Sequence, residues 1–303
     1  MPTTARKLYT PARLPSIPPG VAPPFHQAAL SSCVVHHLVD PARVADLFEG
    51  SGLRPAIFGD RASVSFGFHV HAAFRSAGLN LPPEHWSPSA AGIVQELELS
   101  MVAFPEGRGG EVPDVTIDQW LMGDDQTKLL GNHRLFVPCD DPAAVAVGRD
   151  LFGDPTFLTG FLVNLPSPDP VRDGRAATAE TEWMQTWGFR VGDPDEPDHF
   201  IFTALVDTTG LTPIPGTISP VTRYGVSAAG PVGCRWSVAR PFDTYFIADA
   251  GPTDRVRLTY GASSHPMGIV MRDLLEGVPA YAVQTFQSDP VAVRSRPYLL
   301  TPR

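Results

Sequence analysis

Residues 144–158 read AVAVGRDLFGDPTFL, and the whole interpretation of this chain starts from this stretch. It follows Asp140-Asp141-Pro142, and apolar residues then recur at helical spacing up to Phe152. An acidic N-cap followed by proline at the first helical position is typical of a helix start. The pattern predicts a helix over Pro142–Phe152, with a turn at Asp154-Pro155-Thr156-Phe157.

Composition narrows the classes of protein that this chain can represent. Its 303 residues are 43% hydrophobic and 18% charged, which is an ordinary globular composition with room for a large core. The formal net charge is -9 and the pI is about 5.4. Nucleic acids and anionic membranes attract basic surfaces, so we expect neither as a partner.

Three widely spaced cysteines, Cys33, Cys139 and Cys234, form neither a disulfide framework nor a zinc motif. The first 20 residues contain no apolar signal segment, and no apolar run is long enough for a transmembrane helix. No nucleotide-binding or HExxH motif occurs, so nucleotide and zincin chemistry have no support, and we expect no cofactor and no motif-based metal site. These features predict a soluble, cytoplasmic protein.

Two segments show the period of two that indicates strands. In Ala62–Ala73, Phe66 and Phe68 alternate with polar residues and glycine, and in Ile93–Val102 leucines alternate with glutamates. Further strands are predicted at Ser31–Leu38, His133–Val137, Phe161–Leu165, Glu180–Trp187, His199–Val206, Thr244–Ala248, Arg255–Tyr260 and Tyr281–Gln287.

Helices are predicted at only three places: Pro41–Phe48, Pro142–Phe152 and Pro266–Leu275. The 33 prolines and 27 glycines lie among many short strands, which favours an antiparallel barrel or sandwich with peripheral helices. The proline-rich residues 1–25 are expected to form an extended arm. Residues 26–303 are expected to form a single domain.

Several segments together resemble the acetoacetate decarboxylase family. Gly131-Asn132-His133, the acidic turn and Gly148-Arg149-Asp150-Leu151 follow the order of its Gly-Asp-Tyr strand and Gly-Arg helix. Val94-Gln95-Glu96 is similar to its Tyr-x-Glu strand, and Arg255–Leu258 and Pro279-Ala280-Tyr281 resemble its closing elements. The resemblance implies a mainly β (α+β) fold, an acetoacetate decarboxylase-like antiparallel β-barrel with flanking strands and a few peripheral helices. It also implies a homo-oligomer.

The catalytic parts of that family match poorly. Its Schiff-base lysine and the following lysine fall on Thr156 and Phe157, and a threonine hydroxyl cannot form an imine. The chain contains only two lysines, Lys7 and Lys128. Lys128 follows two aspartates, which are expected to raise its pKa and make it a poor imine former.

Strand parity suggests which residues replace the lost catalytic groups. A family acidic residue falls near Gly67, and if Gly67 faces the interior then His69 and His71 do too. Glu96 and Glu98 share the neighbouring face, and His133 stands at the family's tyrosine position. Imidazoles beside a carboxylate predict a catalytic acid/base set of His69, His71, Glu96 and His133, or a metal site. Glu98 is expected to be solvated at the rim.

Two more residues have a functional and a structural interpretation. Arg149 could anchor a substrate carboxylate, or form a salt bridge to Asp150, Asp154 or Asp141. Thr156 could donate to substrate, or cap the turn after Pro155. We include both as candidate substrate-binding residues.

The resulting prediction is a lyase-like or isomerase-like enzyme of secondary metabolism. Its substrate would be a small carbonyl or carboxylate compound, transformed by noncovalent His/Glu chemistry in a dehydration, cyclisation, isomerisation or retro-aldol reaction. Two alternatives stay open: a noncatalytic small-molecule-binding protein on the same fold, and a decarboxylase that works without lysine.

Overall fold

The computed structural model describes residues 14–17, 25–75, 93–166, 186–238, 241–248, 254–288, 292–294 and 296–300. Most of the predicted N-terminal arm and the first part of the predicted strand Glu180–Trp187 lie outside these residues. The described strands are β1 (Phe25–Val39), β2 (Leu53–Pro55), β3 (Ile57–Phe58), β4 (Arg61–Arg75), β5 (Ile93–Pro105), β6 (Gly131–Cys139), β7 (Thr156–Leu158), β8 (Phe161–Asn164), β9 (Thr186–Gly192), β10 (Phe200–Asp207), β11 (Ile214–Gly216), β12 (Val221–Ser227), β13 (Gly230–Val238), β14 (Phe242–Phe246), β15 (Val256–Tyr260), β16 (Ala280–Ser288), β17 (Ala292–Arg294) and β18 (Tyr298–Leu299).

The two longer predicted helices are confirmed as α2 (Pro142–Phe152) and α3 (Pro266–Leu275). In α2 the Asp141 side chain accepts from the Ala144 backbone N–H, and Gly153 ends the helix in the left-handed conformation. A six-residue helix, α1 (Ile117–Met122), begins with a capping box and was not predicted.

The helix predicted over Pro41–Phe48 is wrong in type. The structure has two 3-10 helices there, Pro41–Arg43 and Ala45–Phe48. Val44 lies between them with φ at -109°, outside the α-helical region. Its N–H bonds to the Pro41 carbonyl three residues back, so an α-helix does not propagate.

Most described strands belong to one large sheet, whose order is β11-β14-β16-β1-β17-β13-β12-β6-β5-β4-β3. The pairings are antiparallel except for β6 with β12 and β6 with β7. β1 also pairs with β4 along most of its length. Hydrogen-bonded pairings therefore lead from β1 through β4, β5, β6, β12, β13 and β17 back to β1.

One face of the large sheet is apolar and packs against a second sheet with the order β15-β10-β9-β8. Phe68 stacks on Phe189 with ring centroids 5.0 Å apart, and Phe66 meets Phe202 edge to face at 6.0 Å. Each fully buried phenylalanine contributes about 1.5–3 kcal/mol relative to an exposed one. This apolar face explains the phenylalanines and leucines at alternate positions of β4 and β5.

The opposite face of the same strands is polar, and we call it the polar face. β4 and β5 are adjacent, with His69 opposite Glu96 and Gly67 opposite Glu98. Directly paired residues point to the same side of a sheet, so these four positions share the polar face. α1 covers one part of this face, because the Gln284 side chain of β16 donates to the Leu121 carbonyl.

The hairpin of β12 and β13 was not predicted from the sequence. It places Arg223 on the strand beside β6, with Asn132 as its neighbour in the pairing. Among the described helices, none is long and apolar enough to span a membrane.

Candidate functional site

Four buried charges meet on the polar face. Arg223 Nη1 lies 2.6 Å from Glu98 Oε1, and Arg134 Nη1 lies 3.7 Å from the same oxygen. Arg134 also forms an ion pair with Asp154 through its Nη2. Each of the four side chains is at most 5% exposed. Two positive and two negative charges thus form one chain of contacts, which we call the charge cluster.

The fold brings these charges together from four separate segments. Glu98 projects from β5 opposite Gly67, and Arg134 projects from β6 opposite Ser100. Arg223 comes from β12, and Asp154 comes from the turn after α2. Removing a charge from water costs several kcal/mol, and the mutual pairing of these groups offsets that cost.

Trp236 packs against the charge cluster. The Arg223 guanidinium lies over its indole ring, 4.4 Å from the ring centroid. Trp236 Nε1, Arg134 Nε and Ser100 Oγ are buried and have no hydrogen-bond partner within the described part of the chain. Buried donors normally find an acceptor, so each of these atoms can donate a hydrogen bond to a water molecule or to a polar ligand group.

His69 lies beside the charge cluster. Its Nδ1 is 2.8 Å from Ser32 Oγ, and its ring centroid is 6.1 Å from that of Trp236. A Cβ atom at Gly67 would lie 3.1 Å from His69 Nε2, so the imidazole occupies space that a side chain at 67 would claim. Burial lowers the pKa of His69 to about 4, with Glu98 opposing the shift and the two arginines reinforcing it.

The predicted partners His71 and Glu96 lie near His69 in the sheet. His71 is buried two residues along β4, on the same face by strand parity. Glu96 is half-buried and directly opposite His69 on β5. The structure therefore brings His69, His71 and Glu96 to one face.

His133 is not brought to this face. It is paired with Met101 of the apolar face, and its ring lies 5.4 Å from that of Phe48. Its neighbour Arg134 points to the polar side instead, because successive strand residues alternate. Burial lowers the pKa of His133 to about 4 as well.

Thr156 and Arg149 form the structural contacts that were the alternative to substrate binding, a local hydrogen bond and a salt bridge. Thr156 Oγ1 donates to the Val145 carbonyl of α2 at 2.9 Å. Arg149 is exposed and its Nε bonds to the Asp150 carboxylate at 2.8 Å. Of the aspartates considered for Arg149, Asp154 belongs to Arg134.

Two expectations from the sequence need correction. Glu98 is 4% exposed and paired with two arginines, so it is not solvated at a rim. The pKa of Lys128 is lowered rather than raised, because burial outweighs the attraction of Asp125. Lys128 Nζ donates to the Ile218 carbonyl, next to a cavity of about 10 Å³ that can hold no more than a water molecule.

Sequence reasoning missed Arg134 and Arg223, and it considered Asp154 only as a partner of Arg149. The sequence does contain a signal for both arginines. Arg134 is followed directly by Leu-Phe-Val and Arg223 by Tyr-Gly-Val, so each charge stands beside a mostly apolar or aromatic stretch. Such a charge needs a partner when buried, but its identity depends on tertiary contacts. Among the described residues, no group of histidine, cysteine and carboxylate side chains has the arrangement of a metal site.

The comparisons with known proteins address the fold. No protein-family model and no curated protein matches this sequence. Solved structures do match, and one is the enduracididine biosynthesis enzyme MppR complexed with the condensation product of pyruvate and imidazole 4-carboxaldehyde. Its TM-score is 0.57 at 15% identity, over 91% of this chain and 88% of that chain.

An acetoacetate decarboxylase-like enzyme from Sphingomonas wittichii RW1 matches with a TM-score of 0.54 and 14% identity, over 92% of this chain and 94% of that chain. The chain has the acetoacetate decarboxylase-like fold. Acetoacetate decarboxylase from Legionella pneumophila shares this fold, with a TM-score of 0.54 and 10% identity over 92% of this chain and 88% of that chain. At these identities the structures share the fold, and the reaction of each protein has to be inferred from its own residues.

Proposed function

We propose that this chain is a small-molecule enzyme that acts on a carbonyl compound bearing a carboxylate group. The reaction is of the lyase or isomerase type, a dehydration, cyclisation, isomerisation or retro-aldol step, and it proceeds by noncovalent acid/base catalysis. The position of His69 carries this proposal. Its imidazole is buried beside Ser32, over Gly67 and next to the charge cluster.

The substrate would bind against the polar face, inside a closed barrel. The circuit of strand pairings from β1 through β4, β5, β6, β12, β13 and β17 supports such closure. A closed sheet separates an interior from solvent, and electrostatic interactions are stronger where water is excluded.

The substrate carboxylate would accept hydrogen bonds from Arg134 Nε and Trp236 Nε1. Both atoms are buried donors that lack a partner among the described residues. Arg223 connects them, because its guanidinium lies over Trp236 and bonds to Glu98 Oε1, the oxygen that Arg134 also approaches. Charge-assisted hydrogen bonds of this kind orient a carboxylate strongly.

His69 and Glu96 would move the proton. They are directly paired across β4 and β5, and His69 is neutral at pH 7 because burial lowers its pKa to about 4. A neutral imidazole and a carboxylate side by side on one face can polarise the oxygen of a bound carbonyl compound and remove its α-proton. His71, on the same face, is a further member of this set.

A covalent imine is not part of the proposal. On the described part of the polar face no lysine contacts the charge cluster, and Lys128 bonds to the Ile218 carbonyl elsewhere. The position that resembles the family's lysine holds Thr156, whose hydroxyl bonds to α2. The presence of pyruvate and a pyruvate condensation product in the MppR structures supports an oxo acid as the substrate class to test first.

The test is exchange of α-protons in D₂O, followed by proton NMR with pyruvate, 2-oxobutyrate and acetoacetate. We expect exchange well above the buffer rate for at least one of these acids. His69→Asn and Glu96→Gln should each lower that rate about 10²–10⁴-fold. His199→Asn is the matched control, because His199 is half exposed, bonded to Glu196 and located in the loop between β9 and β10 of the second sheet.

The same experiment separates the alternatives. Saturable binding of an oxo acid without exchange would replace the enzyme by a noncatalytic binding protein. Release of acetone and CO₂ from acetoacetate, without a borohydride-trapped adduct, would indicate decarboxylation without lysine. Absence of both binding and exchange for all three acids would overturn the proposed substrate class.

A further inference from the structure

Ser32 and His69 are directly opposite each other on β1 and β4, and their side chains share a buried hydrogen bond. Ser32 is fully buried and His69 is 5% exposed. The bond joins Ser32 Oγ to Nδ1, the ring nitrogen nearer the backbone. It therefore leaves Nε2 as the nitrogen on the side of Gly67.

The direction of this hydrogen bond follows from what surrounds Ser32. Within the described part of the chain, the hydrogen-bond partner of the Ser32 hydroxyl is His69. A buried O–H group without an acceptor costs more folding free energy than a buried oxygen lone pair without a donor. Unsatisfied buried donors are accordingly rarer in proteins than unsatisfied acceptors. Ser32 thus donates its proton to Nδ1, which must then be the bare nitrogen of the neutral ring.

The space around Nε2 supports the same assignment. Nε2 lies over Gly67, where the missing side chain leaves room, and Glu98 stands opposite Gly67 on β5. Glu98 favours a positive charge on His69, whereas burial, Arg223 and Arg134 oppose it, so the ring stays neutral and carries one proton.

We propose that Ser32 is a positioning residue that holds His69 in the tautomer with its proton on Nε2, so that His69 donates a hydrogen bond to the substrate carbonyl oxygen. Glu96, directly across from His69, is then the base that removes the α-proton. This inference rests on the proposed function for its chemistry. Its structural part, the tautomer, can be measured without any substrate.

The first measurement is two-bond ¹H–¹⁵N correlation NMR on the full-length protein labelled with ¹⁵N-histidine, at pH 7. His69→Asn assigns the His69 signals among the nine histidines. We expect the wild type to show a protonated Nε2 and a bare Nδ1, and Ser32→Thr to keep this pattern. Ser32→Ala should move the two ¹⁵N shifts toward each other, because Nδ1 loses its donor and the tautomers mix.

Ser63→Ala is the matched control. Ser63 is also a buried serine of this sheet, and its Oγ has no hydrogen-bond partner within the described part of the chain. This variant should leave the His69 signals unchanged. A wild-type proton on Nδ1, or His69 shifts in Ser32→Ala identical to wild type, would overturn the assignment of Ser32.

A kinetic readout connects the tautomer to catalysis. In the α-proton exchange assay with pyruvate, Ser32→Ala should lower kcat about tenfold with little change in KM, and Ser32→Thr should restore most of it. An equal loss in both variants would contradict a positioning role. A wild type that catalyses no exchange would overturn the proposed function, while the NMR result would still decide what Ser32 does to His69.

Discussion

Arg134 on β6 forms an ion pair with Asp154 in the turn after α2, and both side chains are only 1% exposed. This contact attaches the segment that resembles the family's catalytic turn to the centre of the polar face. The turn therefore contributes a carboxylate to the charge cluster, while Thr156, two residues later, bonds to α2.

Replacing Asp154 by Asn should lower the free energy of unfolding by about 3–5 kcal/mol, because the buried Arg134 then keeps only the more distant Glu98, which it shares with Arg223, as a described counter-charge. Urea unfolding followed by circular dichroism measures the loss. Asp150→Asn is the control, since Asp150 pairs with Arg149 at the surface. Equal effects of the two substitutions would contradict the importance that we give to burial.

Gly148 allows α2 to pack closely on β7. A Cβ atom at this position would lie 2.7 Å from Thr156 Cγ2. We expect Gly148→Ala to destabilise the protein by about 1–3 kcal/mol through overpacking, although alanine favours a helix by about 1 kcal/mol.

A second substitution tests this contact directly. Thr156→Ser removes the methyl group and keeps the hydroxyl that bonds to the Val145 carbonyl, so the double variant should recover most of the loss. Gly110→Ala, where an added Cβ meets no atom within 4 Å, should have little effect. A strictly additive double variant would refute a direct clash between the two positions.

Acid should destabilise this protein steeply. Four buried histidines have pKa values lowered to about 4, with burial as the main cause: His36, His37, His69 and His133. Their stabilising contribution is complete above pH 6.5 and is lost as the pH falls from 6.5 toward 4, because only the unfolded chain takes up protons in that range. In that range each of these histidines should lower the free energy of unfolding by about 1.4 kcal/mol for every pH unit of acidification.

Urea unfolding at pH 7, 6 and 5 measures this slope. Replacing His36 by Gln should flatten the dependence by about one proton. Stability that stays constant between pH 7 and pH 5 would show that these imidazoles are not buried in neutral form.

Arg149 and Arg134 should differ in their effect on ligand binding. Arg149 is exposed and bonds to its neighbour Asp150, so Arg149→Ala should leave the binding and exchange of oxo acids unchanged. Arg134→Met should weaken oxo-acid binding at least tenfold, because it removes a buried donor of the polar face. Isothermal titration with pyruvate compares the two, and a loss of affinity in Arg149→Ala would restore the anchoring interpretation.

Much of the local structure was predictable from local signals. An N-cap followed by proline indicates the start of a helix, and alternation of apolar and polar residues indicates a strand. α2 and α3 begin and end where the sequence predicted, and β4 and β5 cover the two alternating segments. The 3-10 helices near Val44 and the hairpin of β12 and β13 were harder, since neither is specified by a distinct periodicity.

The candidate site was only partly predictable. Strand parity placed His69 and His71 on one face with the glutamates of β5. Parity could not show that Glu98 is buried between two arginines, because Arg134 and Arg223 come from strands far away in the chain. His133 was predicted to lie beside His69, but the face of a β6 residue depends on how β6 pairs with β5. The pairing places His133 opposite Met101 on the apolar face and Arg134 opposite Ser100 on the polar face.

The sequence alone determined α2 and α3, the two faces of β4 and β5, and the threonine at position 156 in the segment that resembles the family's catalytic turn. These properties depend on residues close together in the chain. The tertiary structure decided which charges are buried and which partners hold them, including the contact of Ser32 with His69. Burial and pairing set the protonation of these groups, and both arise only when distant strands come together.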